Sequence, residues 1–236
     1  MGYAGRPTPG AVVRIAFFDL DLTVFSVNSA SLWMKRERRL GHLKRRQLAR
    51  GVAWLGAYQL GFARMEGLIH DAVATLKGTE EAAIAARTAA FWEEEVRPTI
   101  RPGARAALER HRDQGDVVAF LTGSSPYLSR LAAAELGVEH ILCTSFAVAD
   151  GRFTGEAVSP LCYGPGKVDH ARRLATHLGG ALRDAFFYTD SYSDLPGLLA
   201  VGTPVAVHPD PRLRRHARKA GWTIEDWDAP AQRPLR

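Results

Sequence analysis

The hydrophobic pattern divides the chain into a few kinds of stretch. Short, nearly unbroken apolar runs recur at 12–18, 117–121, 141–143, 185–188 and 204–207. Runs of this length, rich in β-branched and aromatic residues, predict strands buried on both faces, as in a parallel sheet. From residue 104 onward these runs alternate with helix-length segments of mixed apolar and charged positions, at 104–114, 126–136, 167–178 and 211–220. Pro126 stands where a helix tolerates proline, in its first turn. Strand and helix in alternation predict an α/β fold with a doubly wound parallel sheet. Phe146–Ala149 and Arg152–Thr154 flank Asp150–Gly151, a pair that accepts the positive φ of a tight turn and so predicts a β-hairpin.

One stretch breaks the alternation. Residues 30–96 carry Ala, Leu, Arg and Glu without β-branched alternation, and read as helices only. Ser26–Val27–Asn28–Ser29 supplies candidate caps at its start, and Thr79 is a candidate cap for the helix beginning at Glu80. The Pro-punctuated segment 97–103 closes it. Helices over roughly 70 residues between one strand and the next suit an insert better than a crossover. The expected organisation is a discontinuous catalytic core, 1–27 with 99–236, and a helical cap, 28–98.

Composition narrows the class without naming it. In 236 residues, 46% hydrophobic and 24% charged, there is nothing of a disordered or collagen-like chain. Cys143 and Cys162 form neither a C-x-x-C pair nor a disulfide framework, which fits a reducing compartment and a cytoplasmic location. Residues 1–10 lack the apolar centre of a secretory signal, Gly2 lacks the hydroxyl residue that myristoylation needs, and no apolar run reaches the ~18 residues of a membrane span.

The net charge of +6 favours anionic partners and is unevenly placed. Lys35, Arg36, Arg38 and Arg39, then Lys44, Arg45, Arg46 and Arg50, precede an apolar run at 51–62 that includes Trp54, Tyr58 and Phe62. Residues 35–62 could rest on an anionic membrane or close over a phosphorylated lipid. The plainer reading is a buried cap helix with a solvated basic face, since buried helices commonly look apolar all round. No nucleic-acid motif accompanies the charge, so no nucleic-acid partner is expected. The eight histidines show no zinc spacing, and Gly164–Pro165–Gly166–Lys167–Val168 lacks the residues of a P-loop.

The candidate chemistry sits where strands end. Asp19 and Asp21 follow the first strand, and Thr122–Gly123–Ser124 the second. Asp190 and Asp194 follow the fourth, and Lys167 opens a helix behind Gly164–Pro165–Gly166. In a parallel sheet these groups share one edge. Carboxylates suit a hard cation such as Mg²⁺, and a lysine with backbone N–H groups suits phosphate oxygens. One aspartate can attack phosphorus while a second protonates the leaving oxygen and then activates water. Each piece has a local alternative, as a turn, a surface lysine or a helix cap. In this order and at these places they point together to metal-dependent phosphoryl transfer.

The same residues carry a resemblance. DLDLT at 19–23, LTGS at 121–124, Lys167 and TDSYSD at 189–194 resemble the four motifs of the haloacid dehalogenase-like hydrolases, in the phosphoserine-phosphatase-like branch with a helical C1-type cap after the first motif. The likeness runs from about residue 13 to 210. It implies a Rossmann-like sheet ordered 5-4-1-2-3 and a Mg²⁺-dependent phosphomonoester phosphatase acting through an aspartyl-phosphate. By the resemblance Asp19 is the nucleophile and Asp21 the general acid and base. Mg²⁺ would be held by Asp19, the backbone carbonyl of Asp21 and Asp190, with Asp194 as ligand or support. Thr122, Gly123 and Lys167 would bind the transferring phosphoryl.

The implied substrate is a small phosphorylated metabolite or a phosphorylated lipid. A phosphotransferase of the same superfamily and a peripheral membrane-binding protein are the alternatives. Two departures bear on the substrate. Asn28 stands where phosphoserine phosphatases carry a glutamate, nine residues after the nucleophile, and Ser193 stands for the asparagine of their G-D-G-x-N-D motif.

Overall fold

A computed structural model describes residues 12–42 and 65–228. The first half contains β1 (Ile15–Phe18), α1 (Ser29–Arg39), α2 (Met65–Ala74), α3 (Glu81–Phe91), α4 (Pro102–Asp113), β2 (Val117–Thr122) and α5 (Pro126–Leu136). Then come β3 (His140–Cys143), β4 (Ser145–Ala149), β5 (Arg152–Val158), α6 (Pro165–His177) and β6 (Phe186–Thr189). The chain closes with α7 (Leu195–Ala200), β7 (Thr203–Val207), α8 (Pro211–Ala220) and β8 (Thr223–Glu225).

Six strands form one sheet in the order β3-β2-β1-β6-β7-β8, all neighbours parallel. The five expected strands stand in the expected order with β1 at the centre. The sixth, β8, is an addition that the sequence did not suggest. Its three residues, Thr-Ile-Glu, have no apolar run, and it forms only because the edge of β7 is there to pair with.

The pleat sends alternate side chains of β1 to opposite faces. Ala16 and Phe18 face one core with Phe120, α4 (Ala104, Ala107, Leu108) and α5 (Leu128, Ala132, Leu136). Ile15 and Phe17 face the other with Phe187, α6 (Ala171, Ala175), α7 (Leu198) and α8 (Leu213, Ala217). Helices on both faces explain why the strands read as continuous apolar runs.

Trp227, just past β8, folds back into the first core, 3% exposed, and its ring lies 5.4 Å from that of Tyr188. Only a glycine fits beneath it at position 103, where a Cβ would come within 2.6 Å of Trp227.

Among the described residues, those between β1 and β2 contain helices and turns but no strand longer than an isolated bridge. The outgoing and returning chains run side by side. Phe25 bridges Ile100, and the N–H of Ser26 donates to Thr99 at 2.9 Å. Asn28 caps α1, its side-chain oxygen accepting the N–H of Ser31 at 2.9 Å.

Thr79 does not cap α3. Glu80 takes that position without a side-chain bond, and the N–H of Glu81 donates instead to Gly151 at the hairpin tip, 2.9 Å away. A carbonyl from distant sequence therefore satisfies the helix end. The hairpin of β4 and β5 pairs as expected, with Asp150 and Gly151 both at positive φ. Its strand β5 lies against α2, and Phe153 packs with Ile84 of α3 and Tyr127 of α5.

The nearer part of the basic block is partly consumed by ion pairs. Arg36 is buried and bonds Glu94 at 2.6 Å and Glu95 at 2.8 Å, and Arg39 also pairs with Glu95. The second part of the block and the apolar run at 51–62 lie outside the described residues. Among the described residues, no helix is long and apolar enough to cross a membrane.

Candidate active site

The carboxyl edge of the sheet gathers the candidate residues around β1. Asp19 follows the last residue of that strand and continues its pairing, its N–H donating to the Tyr188 carbonyl at 2.9 Å. The next five residues, Leu20–Val24, close into a single wide turn in which the N–H of Phe25 reaches Leu20 at 2.9 Å. Leu22 sits inside it at φ 58°, a conformation costly for a branched side chain and held by its surroundings. The Leu22 N–H donates to Val27 at 3.0 Å, and Arg101 donates to the Leu22 carbonyl. This turn keeps both aspartates on the edge.

Asp21 is held on both oxygens. One accepts the N–H of Ser29 at 2.8 Å, the first residue of α1, and the other accepts the Ser124 hydroxyl at 3.0 Å. Thr122 is buried, and its hydroxyl accepts the N–H of Ser124 at 3.1 Å, which folds the Thr122–Gly123–Ser124 turn under Asp21. Gly123 itself is exposed on that turn.

Lys167 is 2% exposed in the first turn of α6. Its ammonium lies 3.2 Å from Asp19 and 2.7 Å from Asp194, so it is no surface lysine. The glycines before it have a steric reason. Gly164 has φ +50°, and a Cβ on Gly166 would fall 2.0 Å from the Leu161 carbonyl oxygen. Any other residue at 166 would push the lysine's turn away from the acids.

Asp190 and Asp194 sit on the loop after β6. The hydroxyl of Thr23 accepts the Asp190 N–H at 3.0 Å and lies 3.4 Å from its carboxylate. One oxygen of Asp194 takes both the Lys167 ammonium and the Thr189 hydroxyl, each at 2.7 Å. Asp194 thus touches the site largely through the lysine.

Burial and crowding raise the acids. Burial pushes Asp19 up to about 6, with Lys167 opposing and the charges of Asp194 and Asp21 adding to the rise. Asp190 is pushed up to about 8 by burial and then by repulsion from Asp19 and Asp194. Burial also raises Asp21. Burial works against the charge on Lys167, but Asp19 and Asp194 outweigh it and hold the ammonium above its usual range.

All the expected residues, Asp19, Asp21, Thr122, Gly123, Lys167, Asp190 and Asp194, therefore share one edge. Thr23, Ser124 and Thr189 hold the acids without a role legible in the sequence, and Ser29, expected only as a cap, holds Asp21 through its N–H. Thr23, Ser124 and Thr189 stand inside the motifs, but their partners lie up to 167 positions away in the chain.

Asp19, Asp190 and Asp194 do not bring one oxygen each within 4.8 Å of one another. Carboxylate oxygens are the donors that a hard divalent cation takes, with water completing its shell. Among the described residues the trio that does gather, His208, Asp226 and Asp228, is otherwise engaged. His208 accepts the N–H of Trp227 at 2.8 Å, and Asp228 pairs with Arg101.

Residues 16–199 match the family of haloacid dehalogenase-like hydrolases. The chain belongs to that family. It is 31% identical over 226 residues to a phosphoserine phosphatase of Mycobacterium tuberculosis, covering 94% of this chain and 73% of the relative. It is 26% identical over 216 residues to a histidinol-phosphatase of Neisseria meningitidis, covering 89% and 97%. A crystal structure of a Bordetella pertussis protein of unknown function superposes with a TM-score of 0.85 at 28% identity, over 92% of this chain and 100% of that one. As a haloacid dehalogenase-like hydrolase, the protein is a phosphoric monoester hydrolase with this family's α/β sheet.

Proposed function

We propose that the protein is a Mg²⁺-dependent phosphomonoesterase that works through an aspartyl-phosphate on Asp19. The observation that carries this reading is the meeting of Asp19, Asp21, Lys167 and Asp190 on one sheet edge, with Lys167 buried 3.2 Å from Asp19. A site this crowded with acids favours a positive partner. Asp19, Asp190 and the Asp21 carbonyl would hold the Mg²⁺. Bound there, the ion neutralises charge on the phosphoryl oxygens and on the acids that burial has raised.

In the first step an Asp19 oxygen attacks phosphorus and the bond to the leaving oxygen breaks. Asp21 gives that oxygen its proton. Burial raises Asp21, which favours the protonated form this role requires. The Ser29 N–H and the Ser124 hydroxyl orient the carboxyl for the transfer. In the second step Asp21, now ionised, takes a proton from water. The water oxygen attacks phosphorus, the bond to Asp19 breaks, and inorganic phosphate leaves. Thr122, the Gly123 N–H and Lys167 hold the non-bridging oxygens of the transferring phosphoryl in both steps, so positioning and charge supply most of the rate.

For the substrate we favour a small phosphorylated metabolite, which need not be phosphoserine, with a phosphorylated lipid as the second class. Asn28 spends its side-chain oxygen on capping α1 rather than presenting a carboxylate to an ammonium group. The relatives named as phosphoserine phosphatase and histidinol-phosphatase already differ in leaving group, so family membership does not choose one.

The test is hydrolysis of p-nitrophenyl phosphate with Mg²⁺, then a panel of phosphoserine, histidinol phosphate, sugar phosphates, nucleotides and lysophospholipids. Asp19→Asn should lower turnover by about a thousandfold or more, and acid quenching should trap a phosphorylated wild-type enzyme. Wild-type rates in Asp19→Asn, or no hydrolysis across the panel, would overturn the reading. Capture of the phosphoryl group by an added alcohol in preference to water would reassign it as a transferase.

A further inference from the structure

The loop that carries Asp190 and Asp194 is held on one side by Thr23 and Thr189. On the other side it meets Asp210, between β7 and α8, a residue outside every motif read from the sequence. The Asp210 N–H donates to the Asp190 carbonyl at 2.8 Å. One Asp210 carboxylate oxygen accepts the N–H of Tyr192 at 2.6 Å. The other accepts the N–H groups of Arg212 and Leu213 at 2.8 and 2.9 Å, which caps α8. One side chain thus ties the start of a helix to the middle of the acid-bearing loop.

Its own backbone is stiffened by sequence. Asp210 lies between Pro209 and Pro211, and a residue before proline is confined to extended conformations. It is found at φ −56° and ψ 162°. Pro211 starts the helix at a position that needs no N–H. Over the same contact, the Arg212 guanidinium lies 4.3 Å above the Tyr192 ring, and the His216 ring meets its edge at 6.3 Å. Tyr192 is therefore fixed at its backbone and at its ring by α8, and Asp190 stands two residues before it.

We infer that Asp210 is a positioning residue for the metal-holding loop: it sets the place of Asp190 through Tyr192 and the Asp190 carbonyl, without touching substrate or ion. The inference rests on the reading of Asp190 as a cation ligand, and its test keeps the two apart. Asp210→Asn is the discriminating variant. Its amide oxygen can still cap α8, but an NH₂ group then faces the Tyr192 N–H, donor against donor. Asp210→Ser also keeps a cap, with one oxygen too short to serve both partners. Arg212→Ala removes only the stacking cation and serves as the control.

Two measurements on metal-free protein decide it. Hydrogen exchange of the peptide spanning 189–195 should quicken about tenfold in Asp210→Asn and Asp210→Ser, a change of roughly 1.4 kcal/mol, with melting temperatures close to wild type. Calorimetric titration with Mg²⁺ should show affinity at least about fivefold weaker in both variants than in wild type or Arg212→Ala, a coupling in the ordinary range for residues acting at one remove. Unchanged loop exchange together with wild-type Mg²⁺ affinity in Asp210→Asn would overturn the inference. So would a loss seen only in proportion to lowered melting temperature. If wild type itself takes up no Mg²⁺, the metal reading fails, and the exchange arm still judges the clamp alone.

Discussion

Replacing Lys167 by methionine tests the electrostatics of this site most directly. The side chain keeps nearly the same length and apolar bulk, so packing changes little, but the charge between Asp19 and Asp194 is gone. Removing one partner from a buried ion pair costs about 3–5 kcal/mol, because the remaining charge is left without compensation. At about 2.1 cal/mol/K per residue, unfolding 236 residues carries an entropy of roughly 0.5 kcal/mol/K, so that cost lowers the melting temperature by about 6–10 °C.

The cost also has a pH signature. Asp19 is already raised to about 6 with the lysine present, and loses its attracting partner in the variant, so it rises further. A carboxyl group whose folded pKa exceeds its unfolded value binds protons in the folded state that the unfolded chain has released. Stability therefore falls as pH rises from the unfolded value through the folded one. At pH 5 Asp19 is largely protonated in both proteins, so the part of the deficit that comes from its lost partner is small. At pH 8 it is largest. Thermal unfolding in EDTA at pH 5, 6.5 and 8 measures it. A shift under ~2 °C at pH 8, or an equal shift at pH 5 and 8, would refute the reasoning.

Three further outcomes follow from the same structure. Asp190→Asn should stabilise the metal-free protein at pH 8 and by much less at pH 5, because a carboxyl raised to about 8 costs stability progressively from its unfolded value up to that pH; thermal unfolding in EDTA reads this, and a destabilised variant at pH 8 contradicts it. His111 is buried, bonded to Asp116 at 2.7 Å and to the Tyr188 hydroxyl at 2.8 Å, and burial lowers its pKa. The unfolded chain therefore binds the extra proton first, and stability should drop as pH falls below the ordinary imidazole value of 6.5; urea midpoints from pH 7.5 to 5 should show less of this slope in His111→Gln. Trp227→Ala empties a buried indole site and should cost about 3–5 kcal/mol, measured by urea unfolding, although that residue lies in a tail with few apolar neighbours in sequence.

The amino-acid sequence by itself determined the strands, because apolar runs buried on both faces have few other ways to fold. It also determined the hairpin, through the φ tolerance of Asp150–Gly151, and the edge on which the acids gather, since parallel strands share one polarity. What Asp19, Asp21, Lys167 and Asp190 bind to is a different matter. Thr23 on Asp190, Ser124 on Asp21 and Asp210 on Tyr192 are contacts between segments far apart in the chain, and no local propensity encodes them. The same is true of β8, which exists only against β7, of Trp227, which needs the gap above Gly103, and of α3, whose first N–H is satisfied by a carbonyl 70 residues downstream. Periodicity reports which faces are buried. Only the folded chain decides which buried groups meet: burial raises the acids, and their contacts hold them and the lysine in place.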